Sequence, residues 1–257
     1  MTPKELRSQI RRGIFRSPTS GQCPGYVQAN IAILPAQYAA DFAEFCRRNP
    51  KACPVLAVSE PGSFELPELG EDIDIRTDIS GYVSFLGGKH HEELQNLSDV
   101  WQDDLVTFAI GCSFSFDHLL ASAGLPVRHL EMNVVSPVYV TDVANESVGP
   151  FGGELVVSMR PMSVSQTIQA IEVTSRHPRV HGAPVHFGDA GAIGINDIGR
   201  PDFGEPVFIR EQEIPVFWAC GVTPQRAILS AQLPLAFAHK PGHMLVTDLL
   251  IEDQSLV

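Results

Sequence analysis

Hydrophobic and polar positions run along this chain in two rhythms. Tyr38, Phe42, Phe45 and Cys46 recur at helical spacing, one apolar stripe that begins after Pro35 and ends at Asn49-Pro50, with Arg47 and Arg48 in its last turn. Leu6 and Ile10, one turn apart in an Arg-rich start, predict a short docking helix. Residues 163–174 predict a second amphipathic helix, with Val164, Ile168 and Ile171 inward and Ala170 beside them. Short apolar runs at 31–34, Val55–Val58, Tyr82–Leu86, 134–140, 154–159, 235–238 and 244–250 predict strands, and Asp72-Ile73-Asp74-Ile75-Arg76 alternates as a half-buried strand does. Strands with helices between them predict the α/β class.

Two stretches repeat one device. Ala109-Ile110-Gly111-Cys112-Ser113-Phe114-Ser115 leads into 116–124 and Leu125-Pro126; Phe217-Trp218-Ala219-Cys220-Gly221-Val222-Thr223 leads into 224–232 and Leu233-Pro234. At an offset of 108 residues, Cys112 falls on Cys220, Ser115 on Thr223 and Ser122-Ala123 on Ser230-Ala231. Each reads as an apolar strand, a tight turn of small residues, and a helix with a hydroxyl in its first turn. Helix N-termini carry unpaired N–H groups that favour anions, and open α/β sheets bind ligands at such tips. Any strand–turn–helix corner also favours small residues, but two matched copies point to one shared anionic ligand. The twin units flank residues 133–205, which predicts a smaller domain there, inserted into an α/β domain made of 1–132 and 206–257.

Composition narrows the function classes. The net charge is −12, from 18 Lys and Arg against 30 Asp and Glu, and no basic run could track a phosphate backbone, which argues against nucleic acid. No apolar run reaches the length of a membrane span, and no apolar signal core follows the basic start. Five cysteines, an odd number without C-x-x-C spacing, support neither a disulfide framework nor a structural zinc site, so a reducing cytoplasm is expected, with no cofactor or metal.

Four polar clusters could carry chemistry. Gln28 and Asn30 share a face if the segment is extended, and could hold a carboxylate or simply bond within a turn. Asp72, Asp74 and Arg76 share another; the acids could serve as an acid–base pair, bind a hard cation, or simply be solvated or ion-paired, while Arg76 could clamp a carboxylate. Arg176, His177, Arg179, His181, His186 and Asp189 crowd a glycine-punctuated stretch, where His181 or His186, oriented by Asp189, could move protons, or the imidazoles could bond to nearby carbonyls. His239, Lys240 and His243 close the set, with Lys240 a conceivable Schiff-base former. Pro241-Gly242 denies the two histidines the helical spacing of a metal motif.

The segments GYVQANIAILP, GEDIDIRTD, IGCSFSFD, SMRPM, RVHGAPVHFGD, IGINDIGRPDFG, VFWACGVTPQ and HKPGHMLVTDL, spread over nearly the whole chain, resemble the hydro-lyase family whose characterised relative is D-glutamate cyclase. The resemblance implies a three-layer α/β domain with a smaller two-layer α+β domain inserted, and dehydrative cyclisation of D-glutamate to 5-oxo-D-proline. That reaction needs anion donors around the γ-carboxyl, a base for the ammonium and an acid for the departing oxygen. The expected catalytic set is His181, His186, Asp189, Ser113 and Cys112, the thiol being a conceivable nucleophile with its pKa lowered by the helix tip. The expected substrate contacts are Gln28, Asn30, Arg76, Ser115, Arg160, Cys220, Gly221, Thr223 and His239. The expected partner is a small anionic amino acid or carboxylate, with a homo-oligomer as the assembly. A lyase acting on another hydroxy or amino acid, or a non-catalytic carboxylate-binding subunit of oxoproline metabolism, stands as the alternative.

Overall fold

A computed structural model describes residues 1–255. In chain order the elements are α1 (Pro3–Arg11), β1 (Tyr26–Pro35), α2 (Ala39–Arg48), β2 (Val55–Val58), β3 (Tyr82–Leu86), β4 (Lys89–Leu94), β5 (Leu105–Gly111), α3 (Phe114–Ser122), α4 (Arg128–Met132), β6 (Val138–Ala144), β7 (Glu154–Met162), α5 (Val164–Ser175), β8 (His186–Phe187), β9 (Ile214–Ala219), α6 (Thr223–Ala231), β10 (Ala236–His239) and β11 (Leu245–Leu250), with short 3-10 turns between. A seven-stranded sheet runs β2-β5-β1-β10-β3-β4, with β11 also on β1; a four-stranded sheet runs β6-β7-β9-β8. The chain mixes helix and sheet as expected, but every pairing is antiparallel, so no common C-terminal sheet edge exists. β9, at 214–219, pairs with β7 and β8, so the small sheet takes a strand from beyond residue 205.

The repeat extends well past the twin turns. β5 pairs with β1 through Ala29 opposite Gly111 and Asn30 opposite Ile110; β9 pairs with β7 through Val157 opposite Ala219 and Ser158 opposite Trp218. Asn30 and Ser158 thus hold equivalent places. Apart from the β3–β4 hairpin, which the second half lacks, the order β1–α2–β2–β5–α3 recurs as β7–α5–β8–β9–α6, with β2 on the far side of β5 as β8 is on the far side of β9. The halves are interlocked. α6 follows β9 of the small sheet, yet its Ala227 and Ile228 share an apolar cluster with Phe42 and Phe45 of α2 and with Ala32, Leu34 and Phe108 of the large sheet. α3 follows β5 of the large sheet and packs against α5, its Phe116 beside Trp218 of β9.

Two local predictions are corrected. Residues 72–76 form turns rather than a strand, because Asp72 takes a left-handed φ of 53° and pairs with Arg7 and Arg11, while Asp74 pairs with Arg76. α5 buries Thr167, Ala170 and Thr174 and leaves Val164 and Ile168 exposed, a rotation set by the Ser163–Gln166 capping box. The docking helix is present as α1, whose fully buried Arg7 donates to both carboxylate oxygens of Asp248 at 2.9 and 3.0 Å. No helix among the described residues is long and apolar enough to cross a membrane.

Candidate active site

The twin turns meet, although they leave different sheets. After each strand the chain folds back so that the N–H of Ser115 donates to the Cys112 carbonyl at 3.1 Å and that of Thr223 to the Cys220 carbonyl at 3.0 Å. Each first-turn hydroxyl ties its helix to the central strand of its own half. Ser115 Oγ accepts from the N–H of Gln28 at 2.9 Å, and Thr223 Oγ1 accepts from the N–H of Val156 at 3.0 Å. Two residues along each strand, Asn30 and Ser158 reach across. Asn30 Nδ2 donates to the Gly111 carbonyl at 2.8 Å, and its amide packs so closely on Gly221 that a Cβ there would overlap it. Ser158 Oγ lies 3.3 Å from Ser113 Oγ. The expectation of converging helix tips is therefore met by interlocking rather than by a shared sheet edge.

Beneath the α3 tip lies a buried charged network. Arg160 on β7 donates through Nε to Asp117 Oδ1 at 2.7 Å and through Nη1 to Ser158 Oγ at 3.0 Å, while its buried Nη2 lies 2.7 Å from the same Asp117 oxygen. The other Asp117 oxygen lies 2.9 Å from His129 Nε2. Burial opposes ionisation of Asp117, yet Arg160 and His129 bring its carboxyl below the usual range. A guanidinium shut away from water is retained only where a carboxylate compensates it, which Asp117 does. The ring faces of Phe116 and Trp218 close over it, with centroids 4.9 and 5.3 Å from its Cζ. Asp117 and His129 were not among the predicted residues.

Both thiols depart from expectation. Burial, with the neighbouring Cys220 second, pushes the Cys112 thiol up to about 12, and burial likewise raises Cys220; the N–H groups of Phe114 and of Gly221 and Val222 pull the other way and lose. The helix tips do not make thiolates here. His181 lies in the loop that covers Gly111, where a Cβ would overlap the Arg179 carbonyl. Its Nδ1 is 2.7 Å from the Lys51 carbonyl, its ring also meets the Gly111 backbone, and burial lowers its pKa to about 4. The Lys51 carbonyl can only accept, so Nδ1 carries a proton. The backbone holds His181 at a left-handed φ of 80°, a costly setting for a residue with a Cβ.

Other predicted residues lie apart from this cluster. Asp189 does not orient His186 with its carboxylate: the chain bends at Gly188 (φ 90°), so that His186 Nε2 lies 2.7 Å from the Asp189 carbonyl while Asp189 Oδ1 caps the N–H of Gly191. Arg76 is committed to Asp74 at 2.7 Å and stacks on Phe64, away from the tips. Gln28 is consumed structurally, bonded to Thr19 and to the Gln22 carbonyl. His239 is buried, its Nδ1 on the Lys240 carbonyl and its Nε2 3.3 Å from Gln225 Nε2 on α6. Lys240 is ion-paired with Glu93 at 2.6 Å. No group of three or more His, Cys, Asp or Glu among the described residues is arranged to hold a metal ion.

A cleft of about 420 Å³, lined by Lys51, Pro54, Arg179, His181 and Gly182 among others, reaches the cluster at His181. A roomier cleft of about 550 Å³ lies elsewhere, beside Arg11, Glu65, Glu71, Asp72 and Asp74. Its acidic wall suits an anion poorly.

Comparison with known proteins places this geometry in a class. A protein of Burkholderia multivorans named "Putative hydro-lyase" is 56% identical over 249 residues, covering 97% of this chain and 96% of its own. A relative of the same name from Paraburkholderia phymatum is also 56% identical, covering 97% of each chain. Among solved structures, a nitrogen repressor-like protein from Methanococcus jannaschii aligns over 96% of this chain and 98% of its own, at a TM-score of 0.40 and 10% identity, too slight a likeness to build on. By its relatives the chain is a carbon–oxygen lyase of the hydro-lyase type. More narrowly, the profile of the D-glutamate cyclase family matches residues 106–248, and the chain belongs to that family.

Proposed function

We propose that this lyase removes water from a small acidic amino acid, and that cyclisation of D-glutamate to 5-oxo-D-proline is the reaction its site suits best. The observation that carries the reading is the meeting of two helix tips around Asn30, Ser113 and Ser158, directly above the buried Arg160. Both reacting groups belong to one molecule, so the chain has little orientational entropy to supply and must instead stabilise charge. The buried Arg160 guanidinium, already paired with Asp117, supplies the positive charge that favours the carboxylate surviving the reaction. The hydroxyls and tip N–H groups on the opposite side suit the carboxyl that loses oxygen, where one well-aimed donor is worth about 3 kcal/mol. The cleft that His181 lines carries Lys51 and Arg179, whose charges favour an anion despite the net charge of −12. Incubating the protein with D- and L-glutamate, and following loss of primary amine and chiral formation of 5-oxoproline, tests the reading. Turnover of neither enantiomer would overturn the substrate; turnover of L alone would overturn its chirality.

A further inference from the structure

We propose that Asp117 and His129 form the proton-handling dyad of this site, with His129 Nδ1 as the atom that takes and returns the proton. The proposal rests on the function just argued and assigns a role which that reading leaves open. An ionised carboxylate only accepts, so the 2.9 Å contact between Asp117 Oδ2 and His129 Nε2 places the ring proton on Nε2. That leaves the lone pair on Nδ1, which is buried and has no partner. Asp117 is itself fixed, because its second oxygen receives Arg160 Nε at 2.7 Å, and the His129 ring stacks on Phe114 at the start of α3 with centroids 6.1 Å apart. One carboxylate therefore orients both the base and the carboxylate-binding guanidinium.

The other buried histidines lack this arrangement. His181 is oriented by a carbonyl, with no carboxylate to stabilise an imidazolium, and burial has already lowered it to about 4. His239 uses both ring nitrogens, on the Lys240 carbonyl and beside Gln225. His243 Nδ1 lies 2.8 Å from Ser80 Oγ. Of the predicted pair, His186 meets a backbone carbonyl and stacks on Phe217, with no carboxylate on its ring. His129 is the buried histidine, among those described, whose ring meets a buried carboxylate.

The chemistry closes without a co-reactant. Nδ1 accepts a proton from the α-ammonium, and the freed nitrogen lone pair forms the C–N bond to the γ-carboxyl carbon. The C–O bond then breaks, and both protons that nitrogen loses leave on the departing oxygen as water, one of them returned from Nδ1. Asp117 stabilises the imidazolium in between and stays ionised.

The test has a spectroscopic and a kinetic arm. Nitrogen NMR of ¹⁵N-histidine-labelled protein, with the His129 signals assigned by their loss in His129→Gln, is expected to show the Nε2–H tautomer and to lose that preference in Asp117→Asn. His129→Gln is expected to lower kcat for D-glutamate by roughly 10²- to 10⁴-fold with KM nearly unchanged. Asp117→Asn, the isosteric change, carries the kinetic arm should His129→Gln fail to melt cooperatively. An Nδ1–H tautomer in the unaltered protein, or full kcat in a folded variant of either residue, overturns the dyad. Should the unaltered protein leave D-glutamate untouched, the substrate assignment falls, and the tautomer with its dependence on Asp117 still decides the dyad.

Discussion

In the first half of the duplication, α3 carries Asp117 two residues past its tethering serine, against Arg160 and His129; in the second half, α6 carries Gln225 two residues past its tethering threonine, against His239. The contrast continues on the strands. Where β7 has Arg160, the equivalent place on β1 is Ala32, packed in an apolar cluster. Turn, tether and strand register are common to both halves, so the backbone plan does not depend on which side chains lie under it. What differs is charge. One tip overlies an ion pair and an imidazole, the other a neutral amide and an imidazole. A site that must tell a surviving carboxylate from a reacting one needs such a difference, and a symmetric duplication could not supply it.

The comparison breaks most severely if the charged half is made apolar on one side only. Arg160→Met leaves the Asp117 carboxylate buried opposite His129 alone, and is expected to cost about 3–5 kcal/mol in urea unfolding. Ala32, at the equivalent position, has no ion to strand, so Ala32→Gly should cost far less. Equal losses would show that Arg160 contributes packing rather than charge.

Acid should reveal the histidines. His181 abuts the charged half and His239 the neutral half, and burial holds each near a pKa of about 4, below the ordinary 6.5. A histidine depressed in the folded state binds its proton more readily when unfolded. The stability it contributes is complete above pH 6.5 and is lost as pH falls towards 4, at about 1.4 kcal/mol per pH unit for each ring. His177 and His243 are lowered too and act with the same sign; Asp117, a lowered carboxylate, loses its contribution only at more acidic pH. Replacing either His181 or His239 by Gln should flatten the pH dependence of the melting temperature between 6.5 and 4. An unchanged profile in one variant would mean that its histidine is charged in the folded protein.

Glycine at the second turn is the next test. An alanine at Gly221 meets the Asn30 amide, and overpacking of this kind costs about 1–3 kcal/mol. Adding Asn30→Ala removes the obstacle and should recover most of the stability while leaving turnover low. Recovery of turnover as well would remove Asn30 from the site.

The twin turns were legible because the same small residues recur at a fixed offset, flanked by Leu-Pro each time. The wider duplication was not, since it resides in backbone register: nothing in the letters relates Asn30 to Ser158 or Ala32 to Arg160. Asp117 reads as an ordinary first-turn acid, and His129 sits in a short helix with no pattern to mark it; only tertiary packing brings them within 2.9 Å. Its place opposite Gln225 in the twin unit was the one available hint. The reverse error arose at His186 and Asp189, where proximity in sequence suggested a pair, but the bend at Gly188 turns the Asp189 carbonyl to the ring and its carboxylate to Gly191. At 72–76 the alternation was real, but it reflects acids held by arginines of α1 and by Arg76 rather than a strand.

The smallest effect bears on whether the halves work as separate mechanical units. Ser115→Ala removes the acceptor for the Gln28 N–H, and Thr223→Val, close to isosteric, removes the acceptor for the Val156 N–H. Each leaves a buried donor unsatisfied, a cost of about 1–3 kcal/mol. Because each tether joins a helix to the strand of its own half, the two losses should add to within about 0.5 kcal/mol in a double-mutant cycle read by urea unfolding. A coupling well above that would show that loosening one tip shifts the other through Asn30 and Ser158. The two corners would then be one rigid body, and the charge difference between them would have to be maintained against a structure that averages their motions.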